Sequence, residues 1–320
     1  MEVTAGVSVT VIVRRMGGGV LVLWLVSLLA FGLTQLLPGD AAEAIAGEYA
    51  TPEDVERIRH DLGFDLPVYE QYARWLGQVV TGDLGTSLYY ERPVTTLIFE
   101  VAPATLSLAF LAILIAVVIG VTFGIVAAMR QGSWVDRLVT TTATFGIAMP
   151  SFWVLMLLLL PFTVLNHWLP ATGYVPIERG LWPWLSHILL PATALGLASG
   201  AELARHARGS AADVLARPYI RTARARGATG RWLISRHVLR NSAIPVVTVL
   251  GLHVGRLLGG SIVIESVAGI SGLGTLAINA LLQRDITTIQ GFVLFSAVIV
   301  VFVNLVVDLL YGWLNPKVRA

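Results

Sequence analysis

The 320-residue sequence contains no cysteine, and only 13% of its residues are charged. The missing thiols exclude disulfide scaffolds, cysteine-ligated metal centres and thiol catalysis. Because a soluble domain carries about 25% charged residues, the low charge also excludes an ordinary cytoplasmic globular domain. Apolar residues are abundant instead: they make up 56% of the chain, at a mean hydropathy of +0.76. This composition excludes disorder and predicts a membrane protein.

Six apolar runs are long enough to cross a bilayer, which takes about 20 helical residues. The predicted spans are residues 18–37, 104–129, 138–162, 187–204, 243–264 and 289–314. The fourth run is the shortest, and Pro191, Gly196, Ser199 and Gly200 interrupt it. The sequence therefore predicts an all-α integral membrane protein with six transmembrane helices.

The positive charges are sorted between the two sides of the membrane. If both termini are cytoplasmic, the inner segments hold 15 arginines and lysines and the outer segments hold 6. Lys and Arg are enriched in cytoplasmic loops, so this orientation is the predicted one. The small net charge of +2 fits the same asymmetry, and no nucleic-acid partner is expected. Small residues at 40–44 leave a cleaved signal peptide as the alternative to an uncleaved first span.

The outer segment 38–103 contains 12 acidic residues and two amphipathic patterns, and it separates residues 1–37 from a core at 104–320. Thr51-Pro52 is typical of a helix start and Gly63 of a helix end. A second helix is predicted to begin near Pro67. Both helices are expected to lie on the outer membrane face or against the ends of spans, with a solvated loop as the alternative.

The longest inner loop, residues 205–242, carries nine arginines and a single acidic residue, Asp213. Retention on the cytoplasmic side and attraction to anionic membrane lipid would explain this charge alone. The loop also contains the start and end signals of a short helix, because Pro218 stands at the beginning of a short segment and Gly227 at its end. Such a helix between two spans is shaped to dock on a cytoplasmic partner.

Residues 219–227 have the sequence Tyr-Ile-Arg-Thr-Ala-Arg-Ala-Arg-Gly. This run resembles the coupling loop of ABC importer permeases of the dipeptide, oligopeptide and nickel branch. Other motifs that carry the resemblance are spread over residues 9–319; among them are Leu36–Asp40, Gly82–Gly85, Ala102–Leu106, Pro150–Trp153, Gly272–Gly274 and Asn304–Tyr311. Three positions depart from the family patterns. The Glu of the general family's Glu-Ala-Ala triplet is absent at Arg221 and the proline of its later Leu-Pro is absent at Arg240, and both departures are typical of this branch. Ser271 replaces a proline that the branch usually has.

The resemblance implies a type I ABC importer permease fold that forms half of a translocation path for di- or oligopeptides. Nickel or other metal chelates, glutathione and other small solutes of the branch are the alternatives. The implied partners are a second homologous permease, two ABC ATPase subunits that use ATP and Mg, and an extracytoplasmic solute-binding protein. This chain has no phosphate-binding loop and is expected to bind no cofactor and to catalyse no reaction. A passive channel, a secondary transporter and an intramembrane enzyme are the rival classes.

The predicted site residues form three groups, and no catalytic or metal site is predicted. The ATPase-coupling interface comprises Pro218, Tyr219, Ile220, Arg221, Thr222, Ala223, Arg224 and Gly227. Candidates for the translocation path are Arg256, Glu202 and Pro150, because ionisable residues and helix breaks within spans are often functional. Arg256 is expected to face the path or to pair with the companion permease, with Glu202 as a possible partner. Glu265, Gly272 and Gly274 are candidates for the binding-protein or gate side. The segment Gly269–Gly274 is predicted to be a flexible outer loop.

Overall fold

The computed structural model describes residues 9–36, 50–61, 63, 65–228, 230–234 and 238–314. The helices in this part of the chain are α1 (Val9–Leu36), α2 (Pro52–Asp61), α3 (Val68–Val80), α4 (Val94–Met129), α5 (Trp134–Ala148), α6 (Ser151–Leu159), α7 (Leu181–Ala216), α8 (Pro218–Ala225), α9 (Gly230–Leu233), α10 (Leu239–Ala268), α11 (Leu273–Leu282) and α12 (Ile286–Leu314). A π-helical turn at Leu160–Leu165 and a 3₁₀ turn at Ile177–Arg179 complete them. The predicted all-α class is confirmed.

The described chain forms two compact units. One unit contains Ala102–Thr275 together with segments from both ends of the chain, and the other contains Gly17–Val101 and Leu276–Val301. Residues 40–44, where the alternative of a cleaved signal peptide would place the cleavage site, lie outside the described residues.

Four helices are long and apolar enough to cross a membrane unaided, over Arg15–Gly32, Val94–Met129, Leu181–Ala216 and Ile286–Leu310. Two bent pairs add to them. Helix α5 and the segment Ser151–Leu165 meet at 103°, and the two parts of α10, Val246–Leu257 and Gly259–Ala268, meet at 52°. The predicted number of six spans is reached if each bent pair is one span.

The second and fourth predicted spans are too short. Helix α4 begins ten residues before residue 104, and its added turns bury Val94, Leu97 and Ile98. Helix α7 continues beyond residue 204 through turns that bury Ala211 and Val214. Both extensions are amphipathic, so their polar residues interrupt the apolar run although the helix continues.

Two prolines behave differently in the spans. Met149 has an extended backbone with ψ 128°, as expected for a residue before proline, and the third span bends there. Pro150 therefore breaks this span as predicted. Pro191, predicted to interrupt the fourth span, lies inside the continuous helix α7. Membrane helices tolerate an internal proline where neighbouring groups satisfy the freed carbonyl.

Glycines bring α4 and α7 into close contact. A Cβ atom at Gly196 would lie 2.8 Å from the carbonyl oxygen of Ala112, and one at Gly124 would lie 2.6 Å from that of Ala204. Neither position has room for a side chain. Helices in a membrane associate through small residues because lipid is as apolar as their side chains. Gly196, which interrupts the fourth apolar run in the sequence, is thus a packing position.

Helix α2 has the predicted start and end. The Thr51 hydroxyl donates to Asp54 Oδ2 at 2.6 Å, and the Asp54 N–H donates back to Thr51 Oγ1 at 3.3 Å. These bonds form a capping arrangement, and the hydrogen bonds from Thr51 lower the pKa of Asp54. Gly63, with φ +71°, follows the helix.

Helix α3 packs against α1. The rings of Tyr72 and Trp75 lie 5.5 and 5.6 Å from the Phe31 ring, centroid to centroid. The Tyr72 hydroxyl also lies 2.8 Å from Ser27 Oγ. The second amphipathic helix therefore rests on a membrane-spanning helix, which is one of the two placements that the sequence predicts.

Candidate functional site

A sharp turn at Arg217 separates α7 from α8. Because Arg217 precedes a proline, its backbone is extended (φ −65°, ψ 142°), which ends α7 at Ala216. Pro218 occupies the first position of α8, where a helix needs no N–H. Helix α8 then runs to Ala225, as the sequence predicts.

The C-terminal end of α8 is closed by Gly227. This residue has φ +86°, a left-handed conformation that glycine adopts without strain. Its N–H donates to the carbonyl of Arg224 at 2.9 Å, and the N–H of Ala228 donates to that of Ala223 at 3.1 Å. This pair of bonds is the Schellman arrangement. Both ends of the short helix are therefore fixed by local sequence.

One face of α8 is anchored in the protein. Ile220 is fully buried in an apolar cluster with Ile125 of α4, Val214 of α7 and Leu233 of α9. Ala223 packs against the same cluster. Direct packing therefore connects α8 to the ends of α4 and α7.

The other face of α8 borders an open depression of about 740 Å³, which is lined by Tyr219, Thr222, Ala223, Arg226, Gly227, Ala228 and Trp232. The Tyr219 and Trp232 residues are 44% and 48% exposed, and Arg221 and Arg224 are exposed beside them. Tyr, Trp and Arg are the side chains enriched at the energetic centres of protein interfaces. Arg226, Ala228 and Trp232 are additions to the predicted set; a tryptophan in a highly cationic loop is the signal that could have indicated the last.

The structure brings two of the path candidates together. Arg256 Nη1 on α10 lies 3.1 Å from Oε2 and 3.3 Å from Oε1 of Glu202 on α7. His253, which is buried, places Nε2 3.5 Å from Oε2 of the same carboxylate. The Arg256 side chain is 65% exposed and that of Glu202 is 24% exposed. Pro150 lies at the bend between α5 and α6, and the path role of all three candidates stays a prediction.

Glu265 is fully buried at the end of α10. Its carboxylate accepts hydrogen bonds from Thr105 Oγ1 at 2.7 Å and from the N–H groups of Gly274 at 2.8 Å and Thr275 at 3.1 Å. The last two belong to the first turn of α11, where a carboxylate satisfies N–H groups that have no partner within the helix. These bonds hold the segment after α10 in place, in contrast to the flexible loop that the sequence predicts.

The spacing of Gly272 and Gly274 has a packing reason. A Cβ atom at Gly272 would lie 2.5 Å from Glu265 Cδ, and one at Gly274 would lie 2.6 Å from Ile262 Cα. Both glycines are buried. They admit the buried carboxylate and the backbone of α10, and a role of this segment toward a binding protein or a gate stays a prediction.

A partly buried ion pair that the sequence does not predict joins the start of α5 to α7. Asp136 Oδ2 accepts from the Gly132 N–H at 2.9 Å and from Arg208 Nη2 at 2.8 Å, and Arg208 Nε donates to the other oxygen. Asp136 follows its N-cap Ser133 by three residues, which is the spacing of a capping box. Within the described residues, no group of three or more His, Asp or Glu side chains is placed to hold a metal ion.

Family models match almost the whole chain. Residues 120–320 match the binding-protein-dependent transport system inner membrane component, and residues 8–109 match the N-terminal part of such membrane components. A peptide transport system permease protein of Brucella abortus is 41% identical over 308 residues, which cover 96% of this chain and 98% of that one. The glutathione transport system permease protein of Escherichia coli has the same identity and coverage.

Solved structures of the MetNI methionine ABC transporter in inward-facing conformations resemble the fold. Two crystal forms give TM-scores of 0.57 and 0.55 at 16% and 19% identity, and each match covers 68% of this chain and 96% of the other. This likeness shows the fold, that of a type I ABC importer permease. The chain belongs to the family of binding-protein-dependent transport system inner membrane components, and it is a multi-pass permease subunit of an ABC importer.

Proposed function

We propose that this permease subunit imports di- or oligopeptides and that α8 receives the force of ATP-driven closure of the ATPase subunits. The coupling role rests on one observation: the two faces of α8 have different surroundings. Ile220 is buried in the protein, whereas Tyr219 lines an open depression together with Trp232 of α9. A peptide-like substrate is supported by relatives named for peptide transport and for glutathione, itself a small peptide.

The proposed assembly contains a second homologous permease, two ABC ATPase subunits and an extracytoplasmic solute-binding protein. ATP and Mg would be used on the ATPase subunits, and this chain would catalyse no reaction itself. The excess of cationic residues in the inner segments, 15 against 6, supports cytoplasmic termini. In that orientation α8 would lie on the side of the ATPases.

Closure of the ATPases would displace α8 as a rigid body, because both of its ends are capped and its apolar face is packed. The ends of α4 and α7 would follow through the Ile220 cluster. The substrate would pass between the two permeases as the path changes from inward-facing to outward-facing access.

The substitution Gly227→Asp tests this proposal, because it places an acidic side chain in the depression. A Cβ atom at Gly227 meets nothing within 4 Å, and aspartate tolerates a left-handed backbone better than most residues. The fold should survive while the new charge opposes docking. In proteoliposomes that contain all subunits and the binding protein, we expect uptake of a labelled dipeptide and peptide-stimulated ATP hydrolysis to fall by about tenfold or more, as for loss of an interface anchor.

Gly132→Asp is the matched control, because Gly132 is also exposed, has φ +79° and has open space at its Cβ position. This variant should transport normally. Ala223→Glu is a second variant with the same expected loss, since Ala223 also lines the depression. Normal uptake and coupled ATP hydrolysis in Gly227→Asp would refute the coupling role.

A further inference from the structure

Arg256 lies within the membrane-spanning part of α10, yet most of its side chain is exposed. The residue belongs to the apolar stretch Val246–Leu257, and 65% of its side chain is accessible in the single chain. A cation at this depth does not remain against lipid; it faces the interior of the assembly or a water-filled cavity. The face of α10 that carries Arg256 is therefore directed away from lipid.

The ion pair with Glu202 uses only part of the guanidinium. Both contacts of the carboxylate are made with Nη1. The edge formed by Nε and Nη2 makes no hydrogen bond or ion pair within the described part of the chain. This edge is one of the two forks with which arginine binds a carboxylate through a pair of parallel N–H bonds. Glu202 thus orients the guanidinium and leaves a carboxylate-binding edge open.

The two members of the pair differ in how accessible they are. His253 is buried, and its Nε2 lies 3.5 Å from Glu202 Oε2 without forming a hydrogen bond. The Glu202 side chain is itself only 24% exposed. The arginine is the more accessible member of the cluster, and a group that enters from the open side meets its positive charge first.

We propose that Arg256 is a substrate-contact residue of the translocation path and that its Nε–Nη2 edge receives the carboxylate of the passing peptide. Glu202 is the positioning residue that holds the guanidinium. This inference rests on the proposed peptide import. It adds a chemical requirement, because a substrate with a free carboxylate gains from Arg256 and the same substrate with a carboxamide does not.

The test compares two labelled peptides of one sequence, one with a C-terminal carboxylate and one with a C-terminal amide. Uptake is measured in proteoliposomes of the complete importer, and the affinity of the binding protein for each peptide is measured separately. We expect Arg256→Gln to lower uptake of the acid by about tenfold, as for a lost charge-assisted pair, and that of the amide by less than about twofold. Because the binding protein is unchanged, its own preference cancels from this comparison.

Arg256→Lys keeps the charge without the fork and should retain part of the preference for the acid. Arg179→Gln removes an exposed arginine from a 3₁₀ turn and should leave the ratio of the two uptakes unchanged. An equal loss for both peptides in Arg256→Gln would assign Arg256 to packing or to the companion permease and would overturn the proposal. If the wild-type importer carries neither peptide, the proposed function itself fails, and this inference fails with it.

Discussion

Replacing Glu265 with alanine would remove the side chain that ties the end of α10 to the start of α11. At least three donors would lose their acceptor: the Thr105 hydroxyl and the N–H groups of Gly274 and Thr275. The buried Ser261 hydroxyl also bonds to this carboxylate. The site is closed to water, since Glu265 is fully buried and Thr105 is 1% exposed. Solvent cannot replace the lost bonds.

The magnitude follows from the number of stranded donors. A buried donor without a partner costs about 1–3 kcal/mol, so three of them destabilise the protein by at least about 3 kcal/mol. At about 2 °C per kcal/mol for a larger chain, the Tm should fall by about 6 °C or more. Glu265→Gln keeps one acceptor oxygen and the side-chain volume, so we expect a loss of about 1–2 kcal/mol and a smaller fall in Tm.

The assay is the thermal unfolding of the purified chain in detergent, followed by tryptophan fluorescence. Glu178→Ala is the control, because Glu178 is an exposed glutamate in the 3₁₀ turn and should leave the Tm unchanged. A Tm of Glu265→Ala equal to that of the wild type would refute the anchoring role. Equal losses for alanine and glutamine would show that the charge, rather than the number of acceptors, holds the segment.

Two further substitutions test the packing that surrounds the proposed coupling helix. Ile220→Ala should lower the free energy of unfolding by about 2–5 kcal/mol, because the side chain is buried, and it should release α8 from the protein. Trypsin should then cleave after Arg221 and Arg224 at least about tenfold faster than in Ile220→Val. Unchanged cleavage would contradict the anchoring role of Ile220. Gly124→Val should prevent α4 from packing on α7, so no folded protein should be recovered from detergent extracts. Gly209→Val is the control and should be recovered normally, because a Cβ atom at Gly209 meets open space. Normal recovery of both variants would contradict the close packing of the two helices.

Local signals in the sequence predict the short helices well. Helix α8 lies between Pro218 and Gly227, and helix α2 begins at Thr51-Pro52, because caps and prolines act through neighbouring backbone groups. The family resemblance and the number of spans are predictable for the same reason, since both depend on runs of adjacent residues.

Contacts between distant segments are what the sequence does not reveal. The partner of Glu265 is Thr105, 160 residues earlier, and the partner of Asp136 is Arg208, 72 residues later. Taken alone, Gly272 and Gly274 indicate a flexible loop, because glycine has no side chain to restrict its backbone. The sequence does not show that the Glu265 carboxylate fills the space beside them. The extended ends of α4 and α7 are missed because polar residues hide a helical face that is buried only after folding.

The hydrogen bonds of the carboxylates distinguish a charge that stabilises the fold from one that is available to a ligand. In an apolar environment a buried carboxylate must be satisfied by donors. Glu265 accepts from Thr105, Gly274, Thr275 and Ser261. Asp285 accepts from Ser87, Leu88 and both donors of Thr288. Such saturated carboxylates leave nothing for a substrate. The Glu202 pair differs, because the guanidinium of Arg256 remains exposed with an open fork. The unused N–H donors of Arg256, rather than the mere presence of a charge in a span, are therefore the reason to propose this residue for the path.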